Sequence, residues 1–181
     1  MDENIIHLAL KNYSALLKRV DDHIRHIEKK YPDKIVCKKG CDSCCKFLTL
    51  FPVEAFAISA AFIKLPEETR DIVVKHLKKE EDACPLLIDR TCILYPARPV
   101  ICRTHGYPIY IEKDGETLVD FCPENFKGMA SFPKDILLSI EQLNTTLIAV
   151  NRHFLESIET TLPSPERIPI SKAIFLLDEM E

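Results

Sequence analysis

Eight cysteines stand in this chain of 181 residues, and four of them, Cys37, Cys41, Cys44 and Cys45, fall within nine positions. A thiolate is a soft donor suited to zinc, iron-sulfur clusters or copper(I), and short spacings let one turn aim several sulfurs at one centre. Gly40 fits such a turn, because a chain wrapping a metal often needs positive φ. Cys44 and Cys45 are adjacent, so their side chains diverge. The pair points to two centres, or to one multinuclear centre, rather than to a simple zinc knuckle. Cys84, Cys92, Cys102 and Cys122 complete two full sets of four ligands.

The thiols lie in an ordered pattern. Cys37-x3-Cys41-x2-Cys44-Cys45 is followed by Cys84-Pro-Leu-Leu, Cys92-Ile-Leu-Tyr, Arg98-Pro-Val-Ile-Cys102-Arg103 and a late Cys122-Pro123. Over residues 37–123 this pattern resembles the YkgJ-type cysteine-cluster family, a zinc- or iron-chelating domain. The resemblance implies that Glu54, Arg98 and Arg103 belong to the site beside the eight cysteines, as cofactor-binding residues. At least one of the two arginines is expected to donate hydrogen bonds to a thiolate or to Glu54. Gathered thiolates need compensating charge, and a guanidinium stays protonated while offering five directed donors. For Glu54 the plainer reading is a carboxylate favoured by the dipole of a helix first turn.

Three function classes compete. The leading one is a protein that binds zinc or an iron-sulfur cluster through the eight cysteines, the metal being structural or carried. Tetrahedral zinc and a [4Fe-4S] cluster both take four thiolates. The second is an iron-sulfur enzyme or methyltransferase-linked protein. The spacing of Cys37, Cys41 and Cys44 resembles that of radical S-adenosylmethionine enzymes, and flagellin lysine methylases look similar in the cluster. Against it, the sequence offers hairpins among helices rather than the repeated strands of a barrel. The third is a zinc-stabilised interaction module with a protein partner. Lys38, Lys39, Lys46, Arg90, Arg98 and Arg103 surround the thiols, but cations near a thiolate centre already have a reason to be there.

Composition narrows the rest. A net charge of −4 gives no basic face for nucleic acid. No apolar run is long enough to span a bilayer, and Met1-Asp2-Glu3-Asn4 lacks the features of a secretory signal. The expected compartment is the cytoplasm, where thiols stay reduced, so metal ligation is favoured over four disulfides.

The elements that must position the thiols are mainly helical. Ile6, Leu10, Tyr13, Leu17, Val20, Ile24 and Ile27 recur at spacings of four and three, which predicts an amphipathic helix from Asp2 to about Lys30, some 40 Å long. His7, His23 and His26 on it read as solvated surface. Tyr31-Pro32-Asp33 stops it. Val53 to Lys64 reads as a buried helix with Pro52 at its start. Pro66 to Glu81 reads as a surface helix with Ile72, Val73, His76 and Leu77 inward. Asp89-Arg90-Thr91 and Asp114-Gly115 each join apolar runs and predict two small hairpins. A short helical turn carries Cys102 and Arg103. From Pro133, the stripe Ile136, Ile140, Leu143, Leu147, Val150, Phe154 and Ile158 predicts a second long helix packed on the first. Pro163, Pro165 and Pro169 mark an extended connection before a last helix, Ile170 to Glu179. The expected fold is α+β and mainly helical, one domain over 1–181. An N-terminal helix (1–31) and C-terminal helices (133–181) would enclose a cysteine-cluster core (37–123).

Overall fold

Helices α1 (Glu3–Ala9) and α2 (Lys11–Lys30) open the chain in a computed structural model that describes residues 3–38, 40–77, 83–158 and 167–177. The sequence predicts one continuous helix, whereas the structure divides it at Leu10. Backbone bonding nevertheless continues there, since Leu10 N donates to the Ile6 carbonyl at 2.9 Å and Ser14 N donates to the Leu10 carbonyl at 2.9 Å. The expected stripe is inward: Ile6, Leu10, Tyr13, Val20, Ile24 and Ile27 are buried, joined by Leu16. Twenty residues make α2 about 30 Å long. A 3₁₀ turn at Pro32–Lys34 follows its end.

Helix α3 (Pro52–Phe62) is apolar on nearly all sides, as a helix must be when neighbours cover it all round. Phe51, Val53 and Phe56 join one hydrophobic cluster with α1, α2 and α6 (Ile140–Ser157). Ala55, Ile58 and Phe62 join another with Val73, Cys84, Leu86, Leu94, Ile170 and Ile174. Phe56 meets Phe154 of α6 with ring centroids 5.1 Å apart. Asn151 of α6 accepts from Val53 N at 3.0 Å, which satisfies one of the free N–H groups at the α3 start. The two long helices α2 and α6 pack together, as their stripes predict.

Helix α4 (Glu67–His76) is narrower than its pattern suggests. Val73 is fully buried, but Ile72 is 51% exposed, so the inward stripe runs through Val73 and Leu77 and omits Ile72. Lys78 to Glu81, the expected end of this helix, lie outside the described residues.

Both predicted hairpins form. Strands β2 (Leu87–Ile88) and β3 (Thr91–Cys92) pair antiparallel, and β4 (Ile109–Lys113) pairs antiparallel with β5 (Glu116–Asp120). The β4–β5 turn has Asp114 at φ 54° and Gly115 at φ 80°, the left-handed pair a two-residue hairpin needs. Between the hairpins, α5 (Val100–Thr104) is the short helical turn expected around Cys102.

Two pairings were not visible in the sequence pattern. Strand β6 (Leu138–Ser139) runs parallel to β4, so the long C-terminal helix begins at Ile140 and not near Pro133. Ser139 then caps it, accepting from Gln142 N at 3.2 Å. Strand β1 (Thr49–Leu50) pairs antiparallel with β7 (Ile168–Pro169). Helix α7 (Ile170–Ala173) is shorter than the expected Ile170–Glu179, of which Asp178 and Glu179 lie outside the described residues, as do Pro163 and Pro165. No described helix is long and apolar enough to cross a membrane.

Candidate metal centre

Tight turns carry Cys41, Cys44 and Cys45. Cys41 N donates to the Lys38 carbonyl at 2.9 Å, Gly40 takes φ 92°, and Cys45 N donates to the Asp42 carbonyl at 2.9 Å. The segment is then stitched to the next cysteine: Lys46 bridges Ala83, and Cys84 N donates to the Cys45 carbonyl at 3.3 Å. Register in the first hairpin sets Cys92 opposite Leu87, whose N–H donates to the Cys84 carbonyl at 3.0 Å. At the hairpin tip, Arg90 reaches back to pair with Asp42 at 2.9 Å. Local turn chemistry and one short ladder therefore bring together thiols almost fifty positions apart.

Cys122 arrives from the other side. The stretch before Cys37 and the stretch after Cys122 are pinned to each other, since Phe126 N donates to the Lys34 carbonyl at 2.6 Å and Val36 N donates to Asn125 Oδ1 at 2.9 Å. Phe126 has φ 54°, an uncommon conformation for a bulky residue, and its ring is fixed by Phe121, Phe132 and Tyr31 at centroid distances of 6.1, 5.5 and 6.2 Å. Asn125, wholly buried, donates through Nδ2 to Cys37 Sγ at 3.3 Å and to the Gly106 carbonyl at 2.8 Å. Gly106 has φ 92°, and a Cβ there would lie 3.3 Å from Cys37 Sγ and 3.4 Å from the Cys122 Cβ. Glycine is needed at 106 for both conformation and space.

All eight cysteines are free thiols. All except Cys122 line one cavity of about 520 Å³, whose walls also include Asp21, Ile24 and Glu28 of α2 and Ile170 of α7. Burial pushes the Cys84 thiol up to about 11 and the Cys102 thiol up to about 12. After burial, the thiols of Cys84, Cys92 and Cys45 raise Cys102 further, while the Arg98 charge pulls it down. Cys37, Cys44, Cys45 and Cys92 are raised too, again by burial first. Next to Cys37 the acting thiols are Cys41, Cys122 and Cys44, and the Asn125 hydrogen bond opposes them.

The three other predicted site residues are placed as follows. Arg98 and Arg103 line the cavity, yet neither donates to a sulfur or to Glu54 among the described contacts. Arg98 stacks its guanidinium 3.6 Å over the Tyr95 ring and donates to the carbonyls of Tyr95 at 3.1 Å and Cys102 at 3.3 Å. Arg103 is buried and donates to both Asp21 carboxylate oxygens at 2.7 Å, to the Arg98 carbonyl at 2.7 Å and to the Pro96 carbonyl. Glu54, also buried, accepts from Phe51 N at 3.2 Å and from Val100 N at 3.1 Å. It caps α3 and straps it to α5, and burial raises its carboxyl above the usual range. The donor into the thiol cluster is Asn125, which carries no spacing or charge signal in the sequence. Tyr107 is equally silent there; its hydroxyl donates to Glu28 at 2.6 Å and fixes the cavity wall.

As they stand, no three His, Cys, Asp or Glu side chains among the described residues are spaced to hold a metal ion. The donor set itself suits a soft metal: free thiols converge on one cavity, with an amide donor already on one sulfur. Residues 36–123 match a family model, CxxCxxCC, whose description is "Putative zinc- or iron-chelating domain". This stretch is similar to the CxxCxxCC family. It contains all eight cysteines together with Glu54, Arg98, Arg103, Gly106 and the Cys122 turn, and so coincides with the stretch the thiol pattern marks out. Asn125, which donates to Cys37, lies just beyond the match, and Asp21, Glu28 and Ile170 lie well outside it. No curated protein and no solved structure matches the chain.

Proposed function

We propose that this chain is a thiolate metal protein whose eight cysteines coordinate zinc or an iron-sulfur cluster, the metal being structural or carried. The observation that carries this reading is the convergence of seven free thiols on one cavity, with the eighth beside Cys37 across Gly106. Thiols crowded into one place repel one another once ionised. A bound cation supplies the charge that lets them ionise together, and it ties the turns that carry them into one unit. The chain's own part is to aim the sulfurs through the turns at Gly40 and the first hairpin, and to exclude water with Leu86, Leu94 and Ile170. Asn125 holds a hydrogen bond on Cys37. Arg98 sits in the wall, where its charge favours a thiolate site without direct donation, while Arg103 beside it is paired with Asp21.

Metal analysis and absorption spectroscopy on protein purified without oxygen test the reading. Bound zinc, or iron with sulfide and visible absorption, is the expected result. Reduced protein that holds no metal and takes up neither zinc nor iron with sulfide overturns it.

The cavity volume favours a second reading, an iron-sulfur enzyme or methyltransferase-linked protein using S-adenosylmethionine. About 520 Å³ falls within the size range of small-molecule sites. Calorimetric titration of the metal-loaded protein with S-adenosylmethionine separates the two, a flat titration removing this second reading.

A further inference from the structure

The adjacent cysteines 44 and 45 stand where two groups of thiols meet. Cys45, Cys84 and Cys92 belong to the hydrophobic cluster under α3, with Cys84 buried inside it and the other two packed against it. The Cys45 carbonyl accepts the Cys84 N–H, and the Cys84 carbonyl accepts from Leu87, the register partner of Cys92. Cys102 comes in on α5 and lines the cavity with these three. On the other side, Cys37 and Cys122 flank Gly106 at 3.3 and 3.4 Å from the space a Cβ would fill. Asn125 joins the same two, donating to Cys37 Sγ and, through its backbone N–H, to the Cys122 carbonyl at 2.9 Å. Cys41 and Cys44 follow Cys37 along the same turns and line the cavity with it. The two groups meet at Cys45, which neighbours both Cys44 and Cys41.

We propose that the eight thiols form two separate four-thiol sites, Cys37, Cys41, Cys44 and Cys122 in one and Cys45, Cys84, Cys92 and Cys102 in the other. This inference rests on the metal-binding reading above. Four thiolates complete a closed zinc site or a cubane cluster, so each group is a full ligand set and neither needs a sulfur from the other. Sulfurs on consecutive residues are awkward ligands within one tetrahedron, so a boundary between 44 and 45 suits them. The two sites also differ in access. Cys37, Cys41 and Cys44 are exposed, whereas Cys84 is buried and Cys45, Cys92 and Cys102 are half-buried. The first site therefore exchanges its metal sooner than the second. Zinc entering either site displaces the thiol protons to solvent, with no change of oxidation state.

The test is cysteine-resolved alkylation read by mass spectrometry while a chelator strips zinc from reduced, zinc-loaded protein, alongside the zinc content. Two zinc ions per chain are expected. Cys37, Cys41, Cys44 and Cys122 should gain reactivity together, and Cys45, Cys84, Cys92 and Cys102 together at a later stage. The double variant Cys41→Ser/Cys122→Ser should retain one zinc and the protection of the second group. Metal-loaded protein that exposes all eight cysteines in one step, holds a single zinc on four thiols, or releases Cys45 with Cys41 overturns the partition alone. Protein that takes up neither zinc nor iron with sulfide overturns the metal reading as well, so the two failures are distinguishable.

Discussion

Asn125 shows how much one uncharged side chain does at this site. It closes the Val36 N–H, the Gly106 carbonyl and a lone pair on Cys37 Sγ at once, all in a place without solvent access to Asn125 itself. Replacing it by alanine removes three hydrogen bonds and leaves a backbone donor and a backbone acceptor unpaired, at about 1–3 kcal/mol for each group that stays dry. We therefore expect Asn125→Ala to lose about 2–4 kcal/mol of unfolding free energy by denaturant titration. In samples loaded with zinc, Cys37 of the variant should also become open to alkylation sooner during chelation than Cys37 of the parent protein. A parent-like midpoint would show that water replaces the amide. None of this is legible in Pro123-Glu124-Asn125. The cysteines announce themselves because soft donors in short spacings have few other uses, whereas a buried asparagine becomes recognisable only when its three partners, up to 89 positions away, are in place. Arg98 and Arg103 were legible as neighbours of the thiols but not in what they hold. Carbonyls of the surrounding turns and the Asp21 carboxylate compete for the same donors, and in this fold they have them.

At the scale of elements, helix periodicity and turn chemistry carry most of the information. The buried stripe of α2, the Asp114-Gly115 turn and the all-apolar α3 follow from spacing and from φ requirements within a few residues. The two-residue strands β1, β6 and β7 have no such local signature. Their pairings join positions far apart in the chain, and tertiary packing selects them. That is why the last long helix starts at Ile140, later than its apolar pattern suggests: Leu138 and Ser139 are taken into the ladder beside β4. One contact between elements yields a pH dependence. Asp135, in the 3₁₀ turn before β6, meets Lys30 at the end of α2 and His26 at 3.1 Å, and its carboxyl is held down to about 2, by Lys30 first. A folded value below the unfolded one, about 3.9, means that the pairing stabilises above that pH and is lost as pH falls from about 4 towards about 2. Asp135→Asn should thus melt below the parent protein at pH 6, with the gap closing on acidification through that window. Melting curves at several pH values check this. A gap that widens in acid contradicts the assignment.

At the scale of the whole molecule, the matched stretch and the walls around it are different parts of the chain. Asp21, Ile24 and Glu28 come from α2, Ile170 comes from α7, and α3 is covered on one side by α6 and on the other by α7. Residues 36–123 made alone would bare the α6 face of α3, strip α7 from its other face and lose the acidic partner of Arg103. We expect such a fragment, metal-free, to unfold without a cooperative transition by circular dichroism, whereas the full chain does so with one. A sharp transition in the fragment would show that the thiol-bearing stretch closes its own core. The small β1–β7 ladder gives this division of labour a sharper form. It fastens the strand just after Cys45 to the strand just before Ile170, so that a pull or a cut near the C-terminal end is felt at the vicinal cysteines by way of two backbone pairs. The thiols are cargo on one part of the chain, and the latch on their compartment is carried by another.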